Sequence, residues 1–271
     1  MMKLKLQLIA AAALLSASSY SMAVNVGGLN LPNGPSLSVG SIYENVVTGV
    51  GQTLSGYGNI SQINGTPLSA LCAGCELTYA FGGYTVTGLS PTNITFTGGY
   101  INLYLDFAND FNPFTSGGSA ADLAAATNGT LFLTLAGHAI DGAGSTFAGS
   151  GNNIGGVNAA GNGSGLADVD FTGSLNGNPA GAGGIANGVF DTNAIASLFG
   201  GNADVQLGSS FSNVFLPHPS ECSRGQGGAG CLAGSVDMRA VTTAVPEPST
   251  YALLLAGLGA TVFVSSRRKS R

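Results

Sequence analysis

Lysine is missing from the body of this chain. Between Lys5 and Lys269 none occurs, and arginine enters residues 24–245 only at Arg224 and Arg239. Twelve Asp and Glu lie in the same span, which leaves it about ten net negative charges. A surface of that sign repels phosphate backbones and anionic lipid, so nucleic acid is excluded as a partner and binding to acidic membrane surfaces is disfavoured. Catalytic signatures are missing too. No Gly-x-Ser-x-Gly nucleophile elbow occurs, and the two histidines, His138 and His218, stand in no His-x-x-His or His-Glu-x-x-His arrangement. No residue is assigned a catalytic or metal-ligating role and no cofactor is expected, and the chain is expected not to be an enzyme.

Glycine is plentiful where charge is not. It fills 42 of the 222 positions from 24 to 245, with Asn, Ser, Thr and Ala making up much of the remainder. β-branched and aromatic residues are nonetheless spread through the span in alternating runs, and few residues are charged, unlike in disordered chains. Period-two alternation marks residues 77–81, 84–86, 94–97, 101–105, 131–135, 169–171 and 205–207 as strands. Six Asn-Gly pairs, at Asn33, Asn64, Asn128, Asn162, Asn176 and Asn187, supply residues that tolerate the positive φ of tight hairpin turns. The expected fold is all-β: an antiparallel sandwich or jelly-roll with one or two short helices. Those helices are placed at 119–127 and 191–199, the second capped by Asp191 or Thr192 and stopped by Gly200-Gly201. Residues 141–188, with fifteen glycines, read as a loop-rich stretch.

Four cysteines, Cys72, Cys75, Cys222 and Cys231, make an even set that reads as disulfides in an oxidising compartment. Three pairings are possible, and local closure within each neighbouring pair is favoured because each brackets glycine-bearing turn sequence. A redox role for Cys72 and Cys75 would need a helix N-terminus after them, and residues 76–81 alternate like a strand instead. Oxygen-bearing side chains gather at Asp106, Asn109, Asp110 and Asn112, with Asp168 and Asp170 further on, which suits calcium in kind but matches no EF-hand spacing. Residues 225–230 satisfy G-x-G-x-x-G, yet they sit between Cys222 and Cys231 without a preceding βα unit, so no dinucleotide site is read there.

The ends carry targeting patterns. Lys3 and Lys5, an apolar run over 6–15 and a Ser21-Met22-Ala23 close form a secretory signal peptide over residues 1–23. At the other end Pro246-Glu247-Pro248 precedes a nearly uncharged stretch, followed by Arg267, Arg268, Lys269 and Arg271. As a helix, residues 249–266 would reach about 27 Å, close to the hydrocarbon thickness of a bilayer, with the basic cluster held on the cytoplasmic side. Prolines at 246 and 248 keep the approach to that helix extended.

The order Val245-Pro246-Glu247-Pro248-Ser249-Thr250-Tyr251, the apolar run and the basic end closely resemble the PEP-CTERM sorting signal of exosortase substrates, over residues 246–271 only. The resemblance implies transient anchoring in the inner membrane, recognition of Pro246, Glu247 and Pro248 by exosortase, removal of the tail, and delivery to the cell surface or extracellular matrix. In overall style the 24–245 domain is similar to members linked with flocculation and biofilm matrix, which implies a structural or adhesive role beside exopolysaccharide. Two alternatives remain: a secreted carbohydrate-active hydrolase, and a sugar-binding module with exposed aromatics such as Tyr57, Tyr84 or Tyr100 lining a sheet face or groove.

Overall fold

The computed structural model describes residues 23–243, apart from 157–158, 174–177, 181–182, 214–215 and 223–230. A small hairpin, β1 (Val24–Val26) and β2 (Leu29–Leu31), leads into β3 (Gly34–Glu44), β4 (Thr53–Ile63) and the two-residue β5 (Thr66–Pro67). A helical turn α1 (Leu68–Leu71) precedes the two longest strands, β6 (Glu76–Leu89) and β7 (Asn93–Asp106). Helix α2 (Ser119–Ala126) then leads to β8 (Thr130–His138), β9 (Phe147–Asn152), β10 (Ala160–Val169), the short α3 (Asn187–Phe190), β11 (Val205–Ser212) and β12 (Leu232–Thr242).

The architecture is all-β and antiparallel. Hydrogen bonding runs β11-β12-β3-β4-β6-β7-β8-β10, and β10 pairs with β11 from Ala160↔Ser212 to Ala167↔Val205, so the sheet closes into an eight-strand barrel. In place of the two separate sheets of a sandwich there is one sheet wrapped on itself, which removes the free edges a lone sheet would expose. One strand position is divided: β7 pairs with β8 at residues 100–105 and with β9 at 93–96, and β10 meets both on its other side.

Inside the barrel, apolar side chains converge from strands all around the ring, among them Ile42, Leu54, Phe81, Leu133, Leu135 and Leu207, each at most 7% exposed. Each fully buried aliphatic chain of this kind contributes about 1.5–3 kcal/mol. The stretch read as loop-rich, 141–188, supplies two of the strands. In β10 the alternate residues Gly161, Gly163 and Gly165 carry no side chain because aromatic rings take that space: a Cβ at 163 would lie 2.4 Å from the Phe147 ring. Missing side chains hide the alternation that would have marked the strand.

Asn64-Gly65 makes the tight hairpin turn expected of it, with φ of 51° and 74° between Ile63 and its partner Thr66. Asn162-Gly163 is instead a mid-strand pair, Asn187-Gly188 lies in α3, and Asn176 falls outside the described residues. Of the two expected helices, the first is α2. Over 191–199 there is none; the helical turn lies just upstream as α3. The Asp204 carboxylate accepts the N–H groups of Thr192 and Asn193 at 2.7 Å each, Asn193 adopts φ of 49°, and Ile195 bridges Ala203, so the backbone is satisfied without helical bonds.

Two segments cover the outer wall. Residues 107–129, including α2, lie over β4 and β6, where Tyr43, Tyr57, Phe111, Ala126 and Ala233 form a second apolar cluster. The described residues of 170–204 lie over β8: Phe190 packs on Phe132, and Asn187 donates to Thr134 Oγ1 while accepting from Thr134 N. Among the described residues no helix is long and apolar enough to cross a membrane, and the expected spanning helix at 249–266 lies outside them.

Candidate functional site

Between these two covers the wall of the barrel stays open. The opening is a groove of about 530 Å³ running along β7, with Tyr100, Asn102 and Tyr104 on the same strand face, Ala80 and Gly56 beside them, Leu123 of α2 and the following Thr127 on one bank, and Pro179 and Ala180 on the other. None of its described lining residues is charged. Tyr100 and Tyr104 are half-buried, and that burial raises both phenols above their ordinary range. Gly82, opposite Tyr100 in the ladder, has no Cβ because one would sit 2.8 Å from the tyrosine oxygen; the ring lies over that gap. Asn102 and Asn178 exchange amide hydrogen bonds of 2.7 and 2.9 Å, which ties the Pro179 bank to the floor. Of the three tyrosines named from sequence, Tyr57 and Tyr84 are buried and Tyr100 lines this groove.

Carboxylates meet at one end of β6 and β7. Glu76, Asp106 and Asp110 each place an oxygen within 4.8 Å of the others. Glu76 accepts from the N–H groups of Asp110 and Phe111, Asp106 Oδ1 accepts from those of Phe107 and Ala108, and Asp106 Oδ2 is buried without a partner among the described residues. Desolvation, with Asp110 and Asp106 nearby, raises the Glu76 carboxyl above its ordinary value. An all-oxygen set of this kind could take a hard cation such as calcium and not a thiophilic one. The sequence reading missed Glu76, which joins the cluster only through its ladder pairing with Asp106. Asp168 and Asp170 go elsewhere: Asp168 to His138, Asp170 into a turn with Thr172.

Both histidines are clamps. His138 places Nδ1 2.7 Å from Asp168 Oδ2 and Nε2 2.7 Å from the Phe199 carbonyl. Its burial favours the neutral ring, but the bond to Asp168 and the carbonyl bonds outweigh this and raise its pKa. His218 Nε2 lies 2.8 Å from Asp122 Oδ2, which also accepts from the Tyr57 hydroxyl at 2.8 Å, and Ser116 Oγ lies 3.1 Å from that same Nε2. Ser116, His218 and Asp122 have the residue types of a nucleophilic triad without its relay. A base must take the serine proton on one ring nitrogen and be oriented by the carboxylate through the other, whereas here both partners share one nitrogen.

Among the described residues one acid lines the lumen. Glu44 is 6% exposed and lines two internal cavities of about 40 and 50 Å³. Burial alone pushes it up to about 8, with no compensating charge or hydrogen bond among the described residues. The cavities have room for a few waters and fall far below the several hundred Å³ of ordinary ligand pockets, a range the outer groove does reach.

Cys72 is joined to Cys75 and Cys222 to Cys231. Residues 1–22 of the signal peptide, the motif residues Pro246, Glu247 and Pro248, and the basic residues Arg267, Arg268, Lys269 and Arg271 lie outside the described residues, as does the glycine-rich stretch 225–230. No curated protein and no solved structure matches the chain. A family model does match at residues 244–269, and the chain carries there a PEP-CTERM protein-sorting motif, which implies export, exosortase processing and a surface or extracellular location.

Proposed function

We propose that the barrel is a non-enzymatic building block of the cell surface or extracellular matrix, acting in adhesion, flocculation or biofilm structure and associating with exopolysaccharide. The sorting motif at 244–269 carries the reading, since it directs the chain to the surface. The acidic, lysine-free body of residues 24–245 and the absence of a proton relay around Ser116 both favour a structural role over hydrolysis.

Two measurements on the protein in an exosortase-bearing host test it. Replacing Pro246, Glu247 and Pro248 together by alanine should leave an uncleaved, membrane-retained chain, and normal release of that variant would overturn the sorting step. The processed wild-type protein should co-sediment saturably with the host's own exopolysaccharide, with and without chelator. Absence of sedimentation in both conditions would remove the polysaccharide association.

A further inference from the structure

The association with polysaccharide has an address in the fold. Resting on the reading above, we propose that the groove along β7 binds a neutral glycan chain, with Tyr100 and Tyr104 as stacking platforms. A pyranose presents an apolar C–H face and a rim of hydroxyls, so it needs a flat ring against the face and uncharged donors and acceptors around the rim. The groove supplies both kinds of group. The two tyrosines stand on one strand face four residues apart, about 13 Å along the wall, with Ser55 and Thr127 close by. That spacing suits a run of sugar units lying along the strand rather than a single one held in a pocket.

Two observations set the ligand's charge and the site's rigidity. None of the described lining residues is charged, so a carboxylate, sulfate or ammonium group entering the groove would leave its hydration without meeting a counter-ion there. The net negative charge of residues 24–245 repels polyanions further. The Asn102–Asn178 amide pair holds the far bank in place, and the gap at Gly82 receives the Tyr100 ring, so the platform exists before any ligand arrives. The lumen cavities, more apolar but an order of magnitude smaller, cannot serve a chain ligand.

The test is affinity electrophoresis of the processed protein through gels holding soluble neutral polysaccharides (a β-1,3-glucan, a xyloglucan, a galactomannan) or anionic ones (alginate, polygalacturonate), beside co-sedimentation with the host's own exopolysaccharide. The expected result is retardation by a neutral polymer, weakened at least about tenfold by Tyr100→Ala and by Tyr104→Ala. Ala180→Trp, which fills the groove while keeping both tyrosines, should weaken it likewise, and thermal melts establish that each variant is folded. Undiminished retardation of folded Tyr100→Ala/Tyr104→Ala and Ala180→Trp would overturn the site while leaving the surface-matrix reading standing. Retardation by anionic polymers alone would overturn the neutral ligand, and failure to bind any polymer, the host's included, would overturn site and association together.

Discussion

The inner and outer faces of the same barrel wall bury polar groups on opposite terms. Inside, Glu44 sits among apolar side chains with no partner among the described residues. Outside, beneath the covers, buried polar side chains are joined in networks, Tyr57 with Asp122 and His218, Asn102 with Asn178, Asn187 with Thr134 and the Asp170 carbonyl, although Asp122 Oδ1 and Asp170 Oδ2 have no partner among the described residues. Partners in these networks are 65, 76 and 53 residues apart in sequence for the Tyr57–Asp122, Asn102–Asn178 and Asn187–Thr134 bonds. Apolar contact closes the barrel but is non-directional, whereas a hydrogen-bonded pair fixes where a segment must sit. The outer networks therefore decide the placement of both covers, and hence the groove between them.

The largest break in this comparison should come from Glu44. Unfolded, its carboxyl ionises near the ordinary 4.5; folded, only near about 8. Between those values the native chain keeps a proton that the unfolded chain has lost, so stability falls as pH rises through that window and levels off above it. The loss is roughly 5 kcal/mol across the window. Glu44→Gln keeps the shape and removes the titration: denaturant unfolding should find it close to wild type near pH 4.5 and progressively more stable up to pH 8. A difference independent of pH would show that Glu44 is paired after all. On the outer face the opposite sign is expected. Asn187→Ala strands the Thr134 N–H, while the Asp170 carbonyl keeps the Thr134 hydroxyl as donor, and should cost about 2 kcal/mol. Hydrogen exchange should then quicken first at Ile185 and Ala186, which bond β8, before the β3–β4 amides respond.

His138 should give the smallest effect. Its raised pKa means that its contribution is full below the ordinary imidazole value of 6.5 and is lost as pH rises through the folded value. Because the Asp168 side chain is 43% exposed, water screens the pair and the contribution stays below about 1 kcal/mol. An NMR titration should place His138 above 6.5 in the wild type and lower in Asp168→Asn; equal values would remove Asp168 as the cause.

Legibility from sequence followed the locality of each cause. β6, β7 and β8 announce themselves by alternation because large side chains line their inner face. β10 does not, since its inner positions are glycines yielding space to a ring that arrives from β9. The helix expected over 191–199 had a sound local cap signal, and Asp204 overrode it from beyond the window in which a cap is sought. The sorting motif is a linear pattern and could be read whole. The groove could not: Tyr100 and Tyr104 are visible as strand residues, but the banks that make them a platform depend on where two distant covers come to rest.

The last strand also has a mechanical meaning. The chain leaves the described fold at Thr243, directly after β12, whose eleven ladder pairs with β3 run from Leu232↔Glu44 to Thr242↔Gly34, while β11 holds its other side. A pull from beyond Thr243 therefore acts along β12, loading both ladders in shear, so their bonds must give way together instead of unzipping singly. A domain tensioned between that end and a polymer lying along β7 would bear force through its strongest direction.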